Sequence, residues 1–278
     1  MSNLLLRIIT AIIGAAFMLF AIWFNYSTFV ALFFGINILS TVEYHQLLKK
    51  SDIPSNMYAG VIGNILIFSF FVLQSYNTPF NAILIAFPCL LLMIYLLIEL
   101  FSKNEQPLVR VTYTTLGILY IAIPFGLLTL IPWNTTNYYI VETRTYQFEI
   151  IFSILFLIWA NDTGAYFAGK FLGKHKLFER ISPKKTWEGS VGGLITALLV
   201  TYLLHQNFGL FSMSKWIGLC VVVVISGSLG DLVESMIKRT LNVKDSGTLL
   251  PGHGGFLDRF DALIFASPFI YIYLTLLP

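Results

Sequence analysis

Charge is what this chain has least of. Only 11% of its residues are Asp, Glu, Lys or Arg, against about 25% in a soluble globular domain. So large a deficit leaves too little polar surface to cover a water-soluble body. With 57% hydrophobic residues and a mean hydropathy of +0.79, the solvent of this chain is mostly lipid. Cysteine is scarce too. Cys89 and Cys220 sit in separate apolar runs, with no C-x-x-C pair or Cys/His cluster, which excludes a disulfide framework and a thiolate zinc site. Both are expected to be buried. Internal repeats, low-complexity tracts and long linkers are missing as well, so the natural unit is the membrane span of roughly 20 apolar residues.

Apolar runs lie near residues 4–24, 28–48, 57–76, 80–101, 111–131, 148–169, 190–206, 216–235 and 260–277. They predict an all-α, polytopic transmembrane protein of about nine spans. The first run is longer than the 7–15 residues of a typical signal-peptide core and lacks a clear cleavage pattern, so it reads as a retained span. With the N-terminus in the cytoplasm and the chain alternating, fifteen of the seventeen Lys and Arg fall on the inner side, and only Arg144 and Lys215 fall outside. Short loops rich in Lys and Arg stay cytoplasmic, which supports this orientation. The aromatic and polar stretch 132–149 suits an interfacial connection. Residues 1–150 carry few charges inside spans and read as a scaffold. Residues 151–278 hold most of the ionisable groups and read as the catalytic transmembrane region with cytoplasmic loops.

Three places set carboxylates at or inside the membrane: Asn161-Asp162 near the end of the sixth span, Asp231 and Glu234 near the end of the eighth, and Asp258 and Asp261 at the start of the ninth. A charge at depth costs a few kcal/mol or more, so such residues usually face a protein interior or watery cavity. On a helix, Asp231, Ser235 and Lys238 share one face, with Glu234 and Arg239 beside it, and Asp258 and Asp261 share another. Acid pairs without His or Cys companions form an all-oxygen set suited to a hard cation such as Mg²⁺. The plain alternative is solvated caps and ion pairs.

Between the last two spans runs VKDSGTLLPGHGGFLDRFD. Its Gly252, Gly254 and Gly255, around His253, would let backbone N–H groups approach an anion before a helix start. Beside Lys238, Arg239 and Lys244, a phosphate site is the better reading than a tight turn alone. His253 is open between general acid/base, phosphate donor and structural hydrogen-bonder. The other basic loop contains SPKKTWEG, residues 182–189. There Ser182, Lys184, Lys185, Thr186 and Glu188 crowd a helix N-terminus, which favours a nucleotide- or phosphate-contacting loop over ordinary inside charge.

The segment SMIKRTLNVKDSGTLLPGHGGFLDRFD, residues 235–261, resembles the pattern of the phosphatidate cytidylyltransferases, or CDP-diacylglycerol synthases. It has the pattern's Ser, Lys-Arg pair, Lys-Asp pair, Pro-x-His-Gly-Gly turn and final Asp-Arg-x-Asp. NDTGAYFAGK and SPKKTWEG, within residues 161–189, resemble it more loosely. The resemblance implies a multi-pass enzyme of the cell's inner membrane that joins CTP to phosphatidic acid, with Mg²⁺ as cofactor and K⁺ as a candidate assistant. It further implies a homodimer and no nucleic-acid polymer as partner. Metal ligation is placed on Asp231, Asp258 and Asp261. Ser235, Lys238, Arg239 and His253 are the catalytic candidates. Asp162, Lys184, Lys185, Thr186, Glu188, Lys244, Asp245, Gly254, Gly255 and Arg259 are candidates for substrate binding.

Three rivals are weaker. A CTP-dependent polyprenol-type kinase would transfer the γ-phosphate instead. A CDP-alcohol phosphatidyltransferase should show a D-G-x-x-A-R…G-x-x-x-D-x-x-x-D run, and none is present. A transporter would show paired repeats and broken midplane helices, whereas here the acids gather on one side and the halves differ.

Overall fold

The computed structural model describes residues 3–76, 83–133, 145–243, 246–247 and 254–276. Each of the nine apolar runs carries a helix: α1 Asn3–Phe24, α2 Tyr26–Lys50, α3 Met57–Tyr76, α4 Ile83–Leu100, α5 Pro107–Trp133, α6 Phe148–Leu172, α7 Trp187–Phe208, α8 Met213–Thr240 and α9 Leu257–Leu276. Seven of these are long and apolar enough to cross a membrane, while in α1 and α4 the apolar stretches are the shorter Ile9–Phe24 and Ala86–Leu100. Arg144 and most of the stretch 132–149 lie outside the described residues.

Large apolar side chains point outward along the helices: Phe17, Leu97, Ile195 and Ile225 are each more than half exposed. That surface is untenable in water and costs nothing in hydrocarbon. Inside the bundle, polar groups join helices, as when the Asn64 amide on α3 donates to the Thr41 hydroxyl on α2 at 2.5 Å. Such contacts hold helices together where lipid offers no competing partner. Aromatic packing ties the two halves, with Phe33 of α2 and Phe125 of α5 each 6.3 Å from the Phe260 ring of α9.

α5 is one rod with a fault. A π-turn at Ile118–Ala122 precedes Pro124, which has no N–H to donate and crowds the carbonyl four residues back. The closest pair is α6 with α7. There a Cβ on Gly192 would overlap the Ala168 side chain, so the small residues let two backbones approach.

The basic loop between α6 and α7 contains a short hairpin. Its strands β1 (Lys176–Phe178) and β2 (Ser182–Thr186) pair antiparallel, with Lys176 opposite Thr186 and Phe178 opposite Ser182. Such a short hairpin leaves too little alternation to be read from sequence. α8 has 28 residues, about 42 Å of helix at 1.5 Å per residue. A hydrocarbon core of about 30 Å takes roughly 20 of them. About 12 Å of α8 therefore exceeds the hydrocarbon core, and the end from Asp231 onward lies beside the start of α9 and the hairpin.

Candidate active site

Lys185 and Lys184 are neighbours on β2, where the pairing with β1 shifts register between Ser182 and Thr186. Lys184 is exposed, whereas Lys185 turns toward α8. Its Nζ lies 2.7 Å from the Asp231 carboxylate and 3.4 Å from the Ser228 carbonyl oxygen, to which it donates. One turn further along α8, the Ser235 hydroxyl donates to Asp231 Oδ1 at 3.4 Å. Asp162 on α6 and Asp261 on α9 complete the group. Asp231 acts electrostatically on both, and Lys185 also acts on Asp162. Asp162 is exposed and Asp261 half-buried, so this face of three helices is open to a ligand.

A second ionic group lies deeper. The Lys238 ammonium sits 2.5 Å from Glu234 on its own helix and 2.5 Å from Asp258 on α9. Asp258 also accepts the backbone N–H of Ser246 at 3.0 Å and of Gly255 at 3.2 Å through Oδ2. Both its oxygens are thus engaged. Asp258 and Asp261, expected on one face, part company: the first caps the entry to its helix and meets Lys238, and the second joins Asp162 and Asp231. Gly254 adopts φ +83, and a Cβ there would stand 3.3 Å from Asp258 Oδ2. The turn therefore favours glycine on backbone grounds.

A third contact was not anticipated. Glu43 of α2, fully buried, accepts the Ser246 hydroxyl at 2.9 Å and the Leu257 N–H at 3.0 Å. It thereby ties the first half of the chain to Ser246 and to the start of α9. A single acid within the run 28–48 is the same signal that singled out the other carboxylates, and it was available in the sequence.

The remaining candidates take other places. The buried Thr186 hydroxyl accepts the Gly189 N–H at 3.1 Å, capping α7. Glu188 meets His175 Nδ1 at 2.6 Å and accepts the N–H groups of Lys174 and His175. It pins the entry to the hairpin. Arg239 and Arg259 are exposed at the ends of their helices. Lys244, Asp245 and His253 lie outside the described residues.

Among the described residues no three His, Cys, Asp or Glu side chains gather closely enough to enclose a metal ion alone. Mg²⁺ does not require that; one or two carboxylates, completed by phosphate oxygens and water, suffice. Asp231 acts electrostatically on both Asp162 and Asp261, and these carboxylates offer oxygen donors only. Their chemistry fits a hard divalent cation shared with a phosphate ligand. Asp258 fits less well, because Lys238 and two backbone N–H groups already hold it.

The chain is similar to known proteins over nearly its whole length. The model of the cytidylyltransferase family matches residues 5–277. The chain is 35% identical over 280 residues to a phosphatidate cytidylyltransferase of Bacillus subtilis (strain 168), covering 97% of each chain. It is 36% identical over 239 residues to one of Staphylococcus saprophyticus, covering 85% of this chain and 87% of that one. It is also 36% identical over 240 residues to one of Staphylococcus aureus (strain COL), covering 86% and 87%.

Proposed function

We propose that this chain, which belongs to the cytidylyltransferase family, transfers CMP from CTP to phosphatidic acid, giving CDP-diacylglycerol and pyrophosphate. The observation that carries this reading is the alignment of 97% of the chain with 97% of a relative named phosphatidate cytidylyltransferase. The protein is a multi-pass membrane protein and a CTP-using nucleotidyltransferase.

In the reaction a phosphate oxygen of phosphatidic acid bonds to the α-phosphorus of CTP, and the bond to pyrophosphate breaks. The nucleophile is already anionic, so positioning and charge neutralisation matter more than a strong general base. That requirement matches carboxylates and ammonium groups at one helix end. Lys185 can exchange Asp231 for a phosphate oxygen. Ser235 can turn its hydroxyl from Asp231 to a ligand. Lys238 stays between Glu234 and Asp258 and fixes α8 against α9. Mg²⁺, with K⁺ as a further cation, would be held by Asp231 and Asp261 with Asp162 beside them, and it supplies charge neutralisation at the phosphates when bound. Lipid tails would remain in the bilayer while the head group meets CTP at the interface.

The depth of Asp231 on α8 and the inside bias of Lys and Arg support a site on the cytoplasmic face of the inner membrane. The homodimer rests on the family resemblance alone. The reading is tested with purified protein, phosphatidic acid, Mg²⁺ and CTP labelled at the α-phosphate. Label in a CDP-lipid with equal release of pyrophosphate supports it. Release of CDP with phosphorylated lipid would make the protein a kinase.

A further inference from the structure

Glu43 is a carboxylate that the transfer chemistry leaves unused. It is fully buried on α2, far from the acids of the second half in sequence. Its Oε2 accepts the N–H of Leu257, the first residue of α9 and 214 positions away. The first N–H groups of a helix have no partner within it and need one from elsewhere. Its Oε1 accepts the Ser246 hydroxyl, and that hydroxyl oxygen in turn accepts the Asp258 N–H at 3.4 Å. Two successive donors of the α9 entry are thus satisfied by one carboxylate, the first directly and the second through a serine. The packing leaves no slack, since a Cβ on either Gly247 or Gly255 would overlap Glu43 Oε1.

We propose that Glu43 is a positioning residue for cytidylyl transfer. From the first half of the chain it fixes Ser246 and the first turn of α9, and with them the directions of Asp258 and Asp261. The carboxylate is needed for its two acceptor oxygens rather than for its volume. A shift of about 1 Å at reacting groups costs about 10²-fold in rate, so a clamp of this kind acts on turnover more than on substrate affinity. The inference rests on the transfer reading above.

The test compares Glu43→Ala, Glu43→Gln and Ser246→Ala with the unmodified protein, purified in detergent. It measures kcat, KM for CTP, and hydrogen–deuterium exchange of the backbone from Gly254 to Asp261. Glu43→Ala is expected to lower kcat about ten- to hundred-fold with KM for CTP little changed. Glu43→Gln keeps one acceptor oxygen and should fall between. Ser246→Ala loses one of the two donors and should show a smaller loss. Exchange at Gly255–Asp258 should quicken in the same order. Unchanged kcat in folded Glu43→Ala overturns the proposal. Should that variant not fold, unmodified kcat in both Glu43→Gln and Ser246→Ala overturns it instead. If the unmodified protein makes no CDP-lipid, the transfer reading fails, and the exchange data still judge the clamp.

Discussion

Lys185 of the hairpin and Asp231 of α8 meet at 2.7 Å, with 27% and 43% of their side chains exposed. An ion pair so open to solvent contributes only about 0–1 kcal/mol to stability, so its worth to the fold is small. Lys185→Ala should therefore leave the melting temperature in detergent within a few degrees while lowering CDP-lipid formation about 10²-fold, the scale for losing one electrostatic stabiliser. A thermal melt beside a turnover assay checks both halves. A large drop in melting temperature with specific activity retained would reverse the assignment.

The buried triad behaves in the opposite way. Lys238 lies between Glu234, whose side chain is 1% exposed, and Asp258. Lys238→Met would leave two carboxylates facing each other without their cation. Removing one partner of a buried pair costs about 3–5 kcal/mol, so a large drop in melting temperature is expected. The double variant Glu234→Gln with Lys238→Met should recover part of it, which a double-mutant cycle would measure.

Glycine positions separate tight from open packing. In Gly255→Ala the new methyl group meets Glu43 Oε1 and Ser246 Oγ, which are buried and hydrogen-bonded to each other. Overpacking of this kind costs about 1–3 kcal/mol. Gly14, with nothing within 4 Å of its Cβ position, should accept Ala without loss. Melting temperatures of the two variants form the comparison.

Much of this arrangement could be read from the chain. Nine apolar runs became nine helices because burial of backbone polar groups in lipid permits little else. The spacing of Asp231 and Ser235 put them on one face, and their side chains do meet. Spacing alone could not show that Asp258 and Asp261 would separate, because Asp258 is drawn to N–H groups of a turn whose path the sequence does not give. Nor could it show which lysine of the adjacent pair faces the acids, since that depends on a register shift within a short hairpin. Glu43 was within reach of the argument from intramembrane charge, but its partners lie more than two hundred residues away. No local pattern links them.

Thr186 tests whether a residue of the basic loop is structural. Its hydroxyl accepts the Gly189 N–H, and loss of such a cap costs about 0.5–2 kcal/mol. Thr186→Ala should lower the melting temperature accordingly, and Thr186→Ser, which keeps the acceptor, should restore it. Equal stability of all three proteins would show that the cap contributes nothing.

The central claim is that carboxylates of α6, α8 and α9 hold a divalent cation against the reacting triphosphate. The most direct measurement is the initial rate of CDP-lipid formation by Asp231→Asn across a Mg²⁺ titration, on protein shown to be folded by its melting temperature. The account predicts no turnover at any Mg²⁺ concentration with folding retained. Full turnover at the Mg²⁺ concentration that suffices for the unmodified protein would contradict it.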